Sequence, residues 1–200
     1  MIHEVVDIWL TAVNPLKQAN LLTQVYGLVR PGKISVDGKL YTVPKLHTSP
    51  EFEECSSVDE GLLINSNERA VLFVQGDTAV PIPTKSFRKF SALLKVVVWY
   101  DENKFITTEN TSLSGAFLAR LLDFLELGKK GNQGTYTDIT WNTTKILEGW
   151  RAFQEYNFSE ETGYLKEPYR SIAIEGNLTF YLNKYACQDA FNIIDNSSNC

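Results

Sequence analysis

Apolar and polar residues alternate almost strictly along the stretch YRSIAIEGNLTFYL, which runs from Tyr169 to Leu182. In an extended chain Ile172, Ile174 and Phe180 lie on one face, and Glu175 lies on the other. At about 3.3 Å per residue the strand would reach roughly 40 Å, about twice the usual strand length. The pattern therefore predicts one unusually long strand near the end of the chain.

A second stretch, KFSALLKVVVWY at 89–100, has the same alternation and a similar length. Phe90, Leu94 and Val98 share one face, whereas Lys95 and Trp99 lie on the other. Two strands of matched length and pattern are expected to pair in one sheet, in antiparallel orientation. Trp99 lies opposite the apolar stripe, so we interpret it as available to a second protein or a ligand.

The first part of the chain has helical spacing, followed by a hairpin signal. Residues 3–26 predict two short helices or one kinked helix, divided by Pro15 and ending at Gly27. At 33–43, two β-prone runs flank Asp37-Gly38, a dipeptide typical of a two-residue hairpin turn.

The middle of the chain combines further helical and strand patterns. The apolar run at 70–74 predicts a buried strand. Residues 112–128 and 141–156 predict two helices, the first ending at Gly128, with a flexible loop at 129–138 between them. Together these elements predict an α+β fold, with a mixed, mainly antiparallel sheet whose two long strands are flanked by helices.

A change of composition marks a long polar segment inside this single predicted domain of residues 1–200. Residues 44–67 are rich in acidic and turn-forming residues, including Glu53 and Glu54, and predict a long loop or arm. The chain from about 186 onward is polar and predicts a flexible tail.

The net charge of the chain limits the classes of partner that the protein is expected to bind. With a net charge of −5, the chain lacks the positive field that general nucleic-acid affinity needs. A small basic surface is still predicted at the segment KSFRKF, where Lys85, Arg88 and Lys89 alternate with aromatic residues. With Lys129 and Lys130, these side chains can line an electropositive rim. The alternative interpretation is that KSFRKF is the start of a strand whose charged side chains face the solvent.

Candidate catalytic chemistry is sparse. The sequence carries no phosphate-binding loop, nucleophile elbow or zinc-binding helix motif. His3 and His47 are the only histidines, and three widely spaced cysteines fit neither a disulfide framework nor a zinc site. We therefore expect no catalytic residue, metal or cofactor. The acidic pairs are interpreted as solvated loop residues: Glu53-Glu54, Asp59-Glu60 and Glu160-Glu161.

Nothing in the sequence indicates a targeting signal or a membrane segment. The first residues lack a basic region, and no apolar run approaches the roughly 20 residues that a membrane span requires. We expect a protein made and kept in a reducing cytoplasm.

The two predicted strands are longer than a small domain is expected to cover with its own residues. An exposed long strand can pair with a strand of another chain. We therefore expect neighbouring copies of the chain to cover them, by sheet augmentation or by packing of the 44–67 loop. The candidate subunit-interface residues are Trp99, Phe180, Tyr181, Glu53 and Glu54.

The order of elements, with the stretches FSALLKVVVWY and YRSIAIEGNLTFYLN, resembles the tail-terminator and neck-ring proteins of tailed bacteriophages, including crAss-like phages. The resemblance covers about residues 1–185. It implies a non-catalytic virion protein, made in the host cytoplasm, that closes into a ring of six or twelve copies. Its partners would be neighbouring neck, portal or tail proteins, with transient contact of packaged DNA at Lys85, Arg88, Lys89, Lys129 and Lys130.

Two other classes of function are weighed against this one. A monomeric module can bind a small ligand or a glycan through Trp99 and neighbouring aromatic residues. An enzyme using the carboxylate pairs is the third, and the lack of a histidine, thiolate or metal constellation disfavours it.

Overall fold

The computed structural model describes residues 1–36, 39–46, 67–76, 78–83, 88–105, 114–156 and 167–183. The α-helices are α1 (Ile2–Leu10), α2 (Asn14–Gln18) and α3 (Ser114–Leu127). The strands are β1 (Gln24–Val36), β2 (Lys39–Leu46), β3 (Ala70–Gly76), β4 (Val80–Ile82), β5 (Lys89–Asp101), β6 (Lys129–Gln133), β7 (Tyr136–Glu148) and β8 (Tyr169–Leu182). Short 3-10 helices lie at Thr11–Val13, Glu102–Phe105 and Gly149–Phe153.

The eight strands found among the described residues belong to one mixed sheet, and the α+β prediction is confirmed at that level. The strand order is β2-β1-β3-β5-β8-β7-β6, and β4 pairs with β5 beyond the end of β3. Of the described strand pairs, β1 and β3 alone run parallel, and the other pairs are antiparallel. The sheet is therefore mainly antiparallel.

The two long strands lie side by side at the centre of the sheet. β5 pairs with β8 from Lys89↔Tyr181 to Asp101↔Tyr169, as the matched patterns predicted. The other edge of β5 is taken by β3 and β4 in succession, and the other edge of β8 pairs with β7. The expected augmentation of the sheet at these two strands is therefore wrong, because both of their edges pair within the chain.

The N-terminal helices are shorter than predicted. Pro15 separates two short helices, as expected, and occupies the first turn of α2, where a missing N–H costs no hydrogen bond. The chain then leaves the helix at Asn20, which has φ +54, and continues as β1 beside β3. Gly27 is not a helix stop. It lies in β1, where an added Cβ would stand 2.6 Å from a carboxylate oxygen of Asp7.

The segment after α3 differs most from prediction. Gly128, with φ +61, follows the last residue of α3 as expected. The predicted flexible loop contains β6, and the predicted helix at 141–156 is β7 followed by a 3-10 helix. The β-branched threonines and isoleucines of β7 favour a strand, and pairing with β8 satisfies their backbone groups.

The hairpin prediction is confirmed, because β1 and β2 pair in antiparallel register up to Val36↔Lys39. Its turn residues, Asp37 and Gly38, lie outside the described residues. The first three residues of the predicted 44–67 loop belong to β2. Residues 47–66, and the predicted tail from 186, lie outside the described part.

Two apolar clusters cover the two faces of the sheet. The larger cluster joins one face to the three α-helices. The smaller one joins the other face to Ala152, Phe153 and Tyr156, which follow β7. Within the described part of the chain, the second face is therefore covered by a short segment rather than by a long helix.

A tryptophan pair anchors the helical layer to the sheet. The rings of Trp9 and Trp141 stack with centroids 4.8 Å apart, and Trp9 Nε1 donates to the carbonyl oxygen of Leu125 at 3.1 Å. Trp141 lies against Gly176 of β8, where an added Cβ would stand 2.5 Å from the indole. The absence of a side chain at Gly176 therefore lets the indole lie flat on the strand.

Replacement of Gly176 tests the close contact between the β8 backbone and the Trp141 indole. We expect Gly176→Ala to lower the free energy of unfolding by about 1–3 kcal/mol, because the new methyl group overlaps Trp141 and the Asn142 carbonyl. In the matched control, Gly115→Ala in α3, the methyl group meets no atom within 4 Å, and stability should stay or rise by up to about 1 kcal/mol. Urea unfolding of both variants measures the difference, and equal effects would contradict this account.

A second prediction concerns alkaline pH. The Tyr136 hydroxyl donates to Glu4, and burial followed by this hydrogen bond raises the pKa of Tyr136 above its ordinary value of 10.0. The unfolded chain therefore releases this proton first, and the stabilisation, complete below about pH 10, is lost as the pH rises further.

Tyr136→Phe should thus flatten the decline in unfolding free energy above pH 10 by up to about 1.4 kcal/mol per pH unit. Urea unfolding measured between about pH 8 and 11 provides the comparison. An unchanged slope in the variant would show that other groups cause the decline.

Candidate functional site

The described residues cover only part of the second face of the sheet. At one end, Phe153 packs against Phe73 and Trp99, with ring centroids 6.3 and 5.1 Å away. Toward the other end Leu93 is 67% exposed, and its cross-strand partner Asn177 is half-buried. We call the uncovered part the open half-face; it consists of Lys89, Ser91 and Leu93 of β5 with Asn177, Thr179 and Tyr181 of β8.

A polar row separates the covered part from the open half-face. Gln75, Lys95 and Glu175 are cross-strand neighbours on β3, β5 and β8. Lys95 is only 8% exposed, and its ammonium group donates to Glu155 Oε1 at 3.0 Å. The ion pair compensates the buried charge, because an ammonium group removed from water needs an acceptor.

Gln75 is the exception in this row. It is 9% exposed, and its side-chain oxygen accepts no hydrogen bond from any described residue. A buried acceptor without a donor costs about 1–3 kcal/mol, so this oxygen favours binding of a group that carries an N–H or O–H.

Gln75 lines a cleft of about 710 Å³ between the β1 backbone and the edge of the open half-face. Exposed apolar side chains contribute to its wall, with Val80 62% and Leu93 67% exposed. Glu155 and Glu175 line the same cleft together with the cationic side chains Arg30 and Lys95. The wall therefore combines exposed apolar surface with charges of both signs.

Two of the predicted interface residues are not on the surface. Trp99 and Phe180 are both 0% exposed within the chain, so neither can contact a neighbour in this fold. The face opposite the main apolar stripe has its own core, which encloses Trp99. Phe180 stacks on Phe90 and meets the edge of Tyr136.

Tyr181 is half-buried on the open half-face, and the Lys89 ammonium group lies 5.6 Å from the centre of its ring. Arg88 is exposed next to them. Lys129 and Lys130 lie on β6, separated from β5 by β8 and β7, which places them roughly 14 Å away across the sheet. The other predicted site residues lie outside the described part: Lys85, Glu53 and Glu54.

Within the described part of the chain, no three His, Cys, Asp or Glu side chains come close enough to hold a metal ion. No described helix is both long and apolar enough to cross a membrane. Comparison of the sequence with protein-family models and with curated proteins finds no match.

A pair of tryptophan variants tests whether the second core is structural. Trp99→Ala should lower the free energy of unfolding by about 3–5 kcal/mol, because it leaves a large cavity beside Phe153. Trp150 is 66% exposed, so Trp150→Ala should change stability by no more than about 0.5 kcal/mol. Chemical denaturation compares the two, and a small effect at Trp99 would show that its surroundings collapse readily.

Proposed function

We propose that the chain is a structural virion protein that forms a homo-oligomeric ring in the head-to-tail neck or upper tail of a tailed phage. The open half-face supports this proposal most directly, because Leu93 is 67% exposed on the central strand β5. A neighbouring subunit that packs on this face would remove that apolar surface from water. The element order within the α+β fold is also compatible with a tail-terminator-like protein.

In such a ring the contacts are made by side chains rather than by strand edges. The outer strand β2 carries Pro44 and the lysines Lys39 and Lys45, and β6 carries Lys129 and Lys130. Proline and lysine at sheet edges disfavour the addition of another strand. Assembly by packing of faces therefore replaces the sheet augmentation expected from the sequence.

Arg88, Lys129 and Lys130 are the described candidates for facing DNA in the proposed channel, whereas Lys89 lies on the open half-face, which the neighbouring subunit would cover. The Arg88 backbone carbonyl accepts a hydrogen bond from the Leu182 N–H at 3.0 Å, which holds this position at the end of the sheet. A few cations on an acidic protein would let DNA pass without tight binding, since affinity rises with each phosphate neutralised.

The alternative, a ligand- or glycan-binding module, depended mainly on an accessible Trp99. That side chain is enclosed by Phe153 and its neighbours. We therefore do not propose a glycan site there.

Mass photometry over a concentration series tests the proposed ring. We expect species at six or twelve times the subunit mass of 22.6 kDa, with closed rings in negative-stain images. Leu93→Glu should shift the population to monomers, because a charge would enter the contact. Leu40→Glu is the matched control, since Leu40 is equally exposed, at 65%, on β2.

A strict monomer at every concentration would contradict self-assembly of the isolated chain. Rings that persist in the Leu93→Glu variant would show that the open half-face is not a subunit contact. Circular dichroism establishes that both variants remain folded.

A further inference from the structure

An exposed tryptophan lies in the segment that covers the second face of the sheet. Trp150 belongs to the 3-10 helix Gly149–Phe153, whose Ala152 and Phe153 are part of the second core, yet its own side chain is 66% exposed. A covered indole buries about 150–250 Å², and tryptophan is enriched among the residues that dominate protein contacts. Trp150 therefore suits the anchor of a contact with another protein surface.

A groove on the helical layer has the size and the walls to take one large side chain. It has a volume of about 280 Å³ and lies between α2 and α3. That volume is close to the lower limit of small-ligand pockets, so it favours a single side chain over an extended ligand. The apolar walls come from Pro15, Leu16, Ala19 and Phe124.

Two charged residues of the groove match the polar features of an indole. Arg120 and Asp123 line it from α3, one turn apart, and both are exposed. A guanidinium group is attracted to the face of a tryptophan ring, and a carboxylate oxygen accepts an indole N–H. An aliphatic side chain would use neither group. Trp150 is the only exposed aromatic residue in the described part of the chain, so the groove fits it better than the other exposed apolar residues.

The groove cannot receive Trp150 of its own chain. The helices α2 and α3 pack on one face of the sheet, whereas the segment that carries Trp150 covers the other face. The two surfaces can therefore meet only between copies. Repetition of such a head-to-tail contact closes a ring when each subunit is rotated by the same angle.

We infer that Trp150 of one copy inserts into the α2–α3 groove of the next copy, with its ring against Arg120 and its indole N–H donated to Asp123. This inference rests on the proposed ring and names the two surfaces that form its contact. The helical layer of the neighbour then faces the second face of the sheet, and it covers the open half-face together with Trp150.

Two variants at exposed positions test the contact from its two sides. Trp150→Ala removes the anchor, and Ala19→Trp fills the groove from its rim. Mass photometry over the concentration series gives the concentration at which half of the subunits are assembled. We expect each variant to raise this concentration at least about tenfold, because a buried tryptophan anchor carries a large share of the binding free energy.

Leu40→Ala and Gln18→Trp are the matched controls. Leu40 is 65% exposed on β2, and Gln18 is an exposed residue of α2 that does not line the groove. Both should leave the half-assembly concentration within about twofold of the unsubstituted chain. Circular dichroism establishes that all variants remain folded.

A double-mutant cycle shows whether the two sites meet. The variant that combines Trp150→Ala with Ala19→Trp should assemble no worse than the weaker single variant, because there is only one contact to lose. Asp123→Ala should raise the half-assembly concentration about tenfold in the unsubstituted chain. It should have no effect in the Trp150→Phe variant, which has no indole N–H to donate.

The outcomes separate this contact from the ring itself. Rings that form at an unchanged concentration in either single variant would overturn the contact and leave the ring proposal standing. Losses that add in the double variant would do the same, because the two residues would then belong to separate contacts. A strict monomer of the unsubstituted chain at every concentration would overturn both proposals.

Discussion

The architecture depends on the hydrogen-bonding demand of two long central strands. β5 and β8 each present two rows of backbone donors and acceptors, which must be paired when they are buried. The chain meets this demand internally: β8 pairs with β5 along its length, β3 and β4 follow one another along β5, and β7 completes β8. This constraint explains why a segment with an apparent helical stripe is a strand, and why no second subunit is needed to complete the central strands.

The helices all pack on the first face of the sheet, and this determines how much of the second face remains exposed among the described residues. Trp141 lies flat over Gly176, stacks on Trp9, and thereby holds α1 beside the end of α3, where the Leu125 carbonyl accepts the indole N–H of Trp9. The described helices are thus committed to this face. Among the described residues, the short segment after β7 covers the second face, and its coverage ends at the ion pair between Lys95 and Glu155.

The proposed assembly follows from that unequal coverage. Where the second core ends, the sheet presents a buried acceptor at Gln75 and an exposed apolar side chain at Leu93. The edge strands carry lysines, and β2 also carries a proline, which disfavours extension of the sheet by another chain. A contact formed by side chains of the open half-face would reconcile the exposed surface with the protected edges.

The sequence by itself determined the two long strands, their pairing, the β1–β2 hairpin and the end of α3 at Gly128, because each depends on local periodicity or on a glycine with a defined backbone conformation. Only the tertiary structure decided that 141–148 is a strand, that Gly27 lies within β1, and that Trp99 and Phe180 are buried. Those outcomes depend on neighbours distant in the chain: β8 needs a second partner, and Phe153 returns to cover Trp99. The cleft at Gln75 had no sequence signal, because its residues come from β1, β3, β4, β5 and β8 and from the segment after β7, and meet only when the sheet forms.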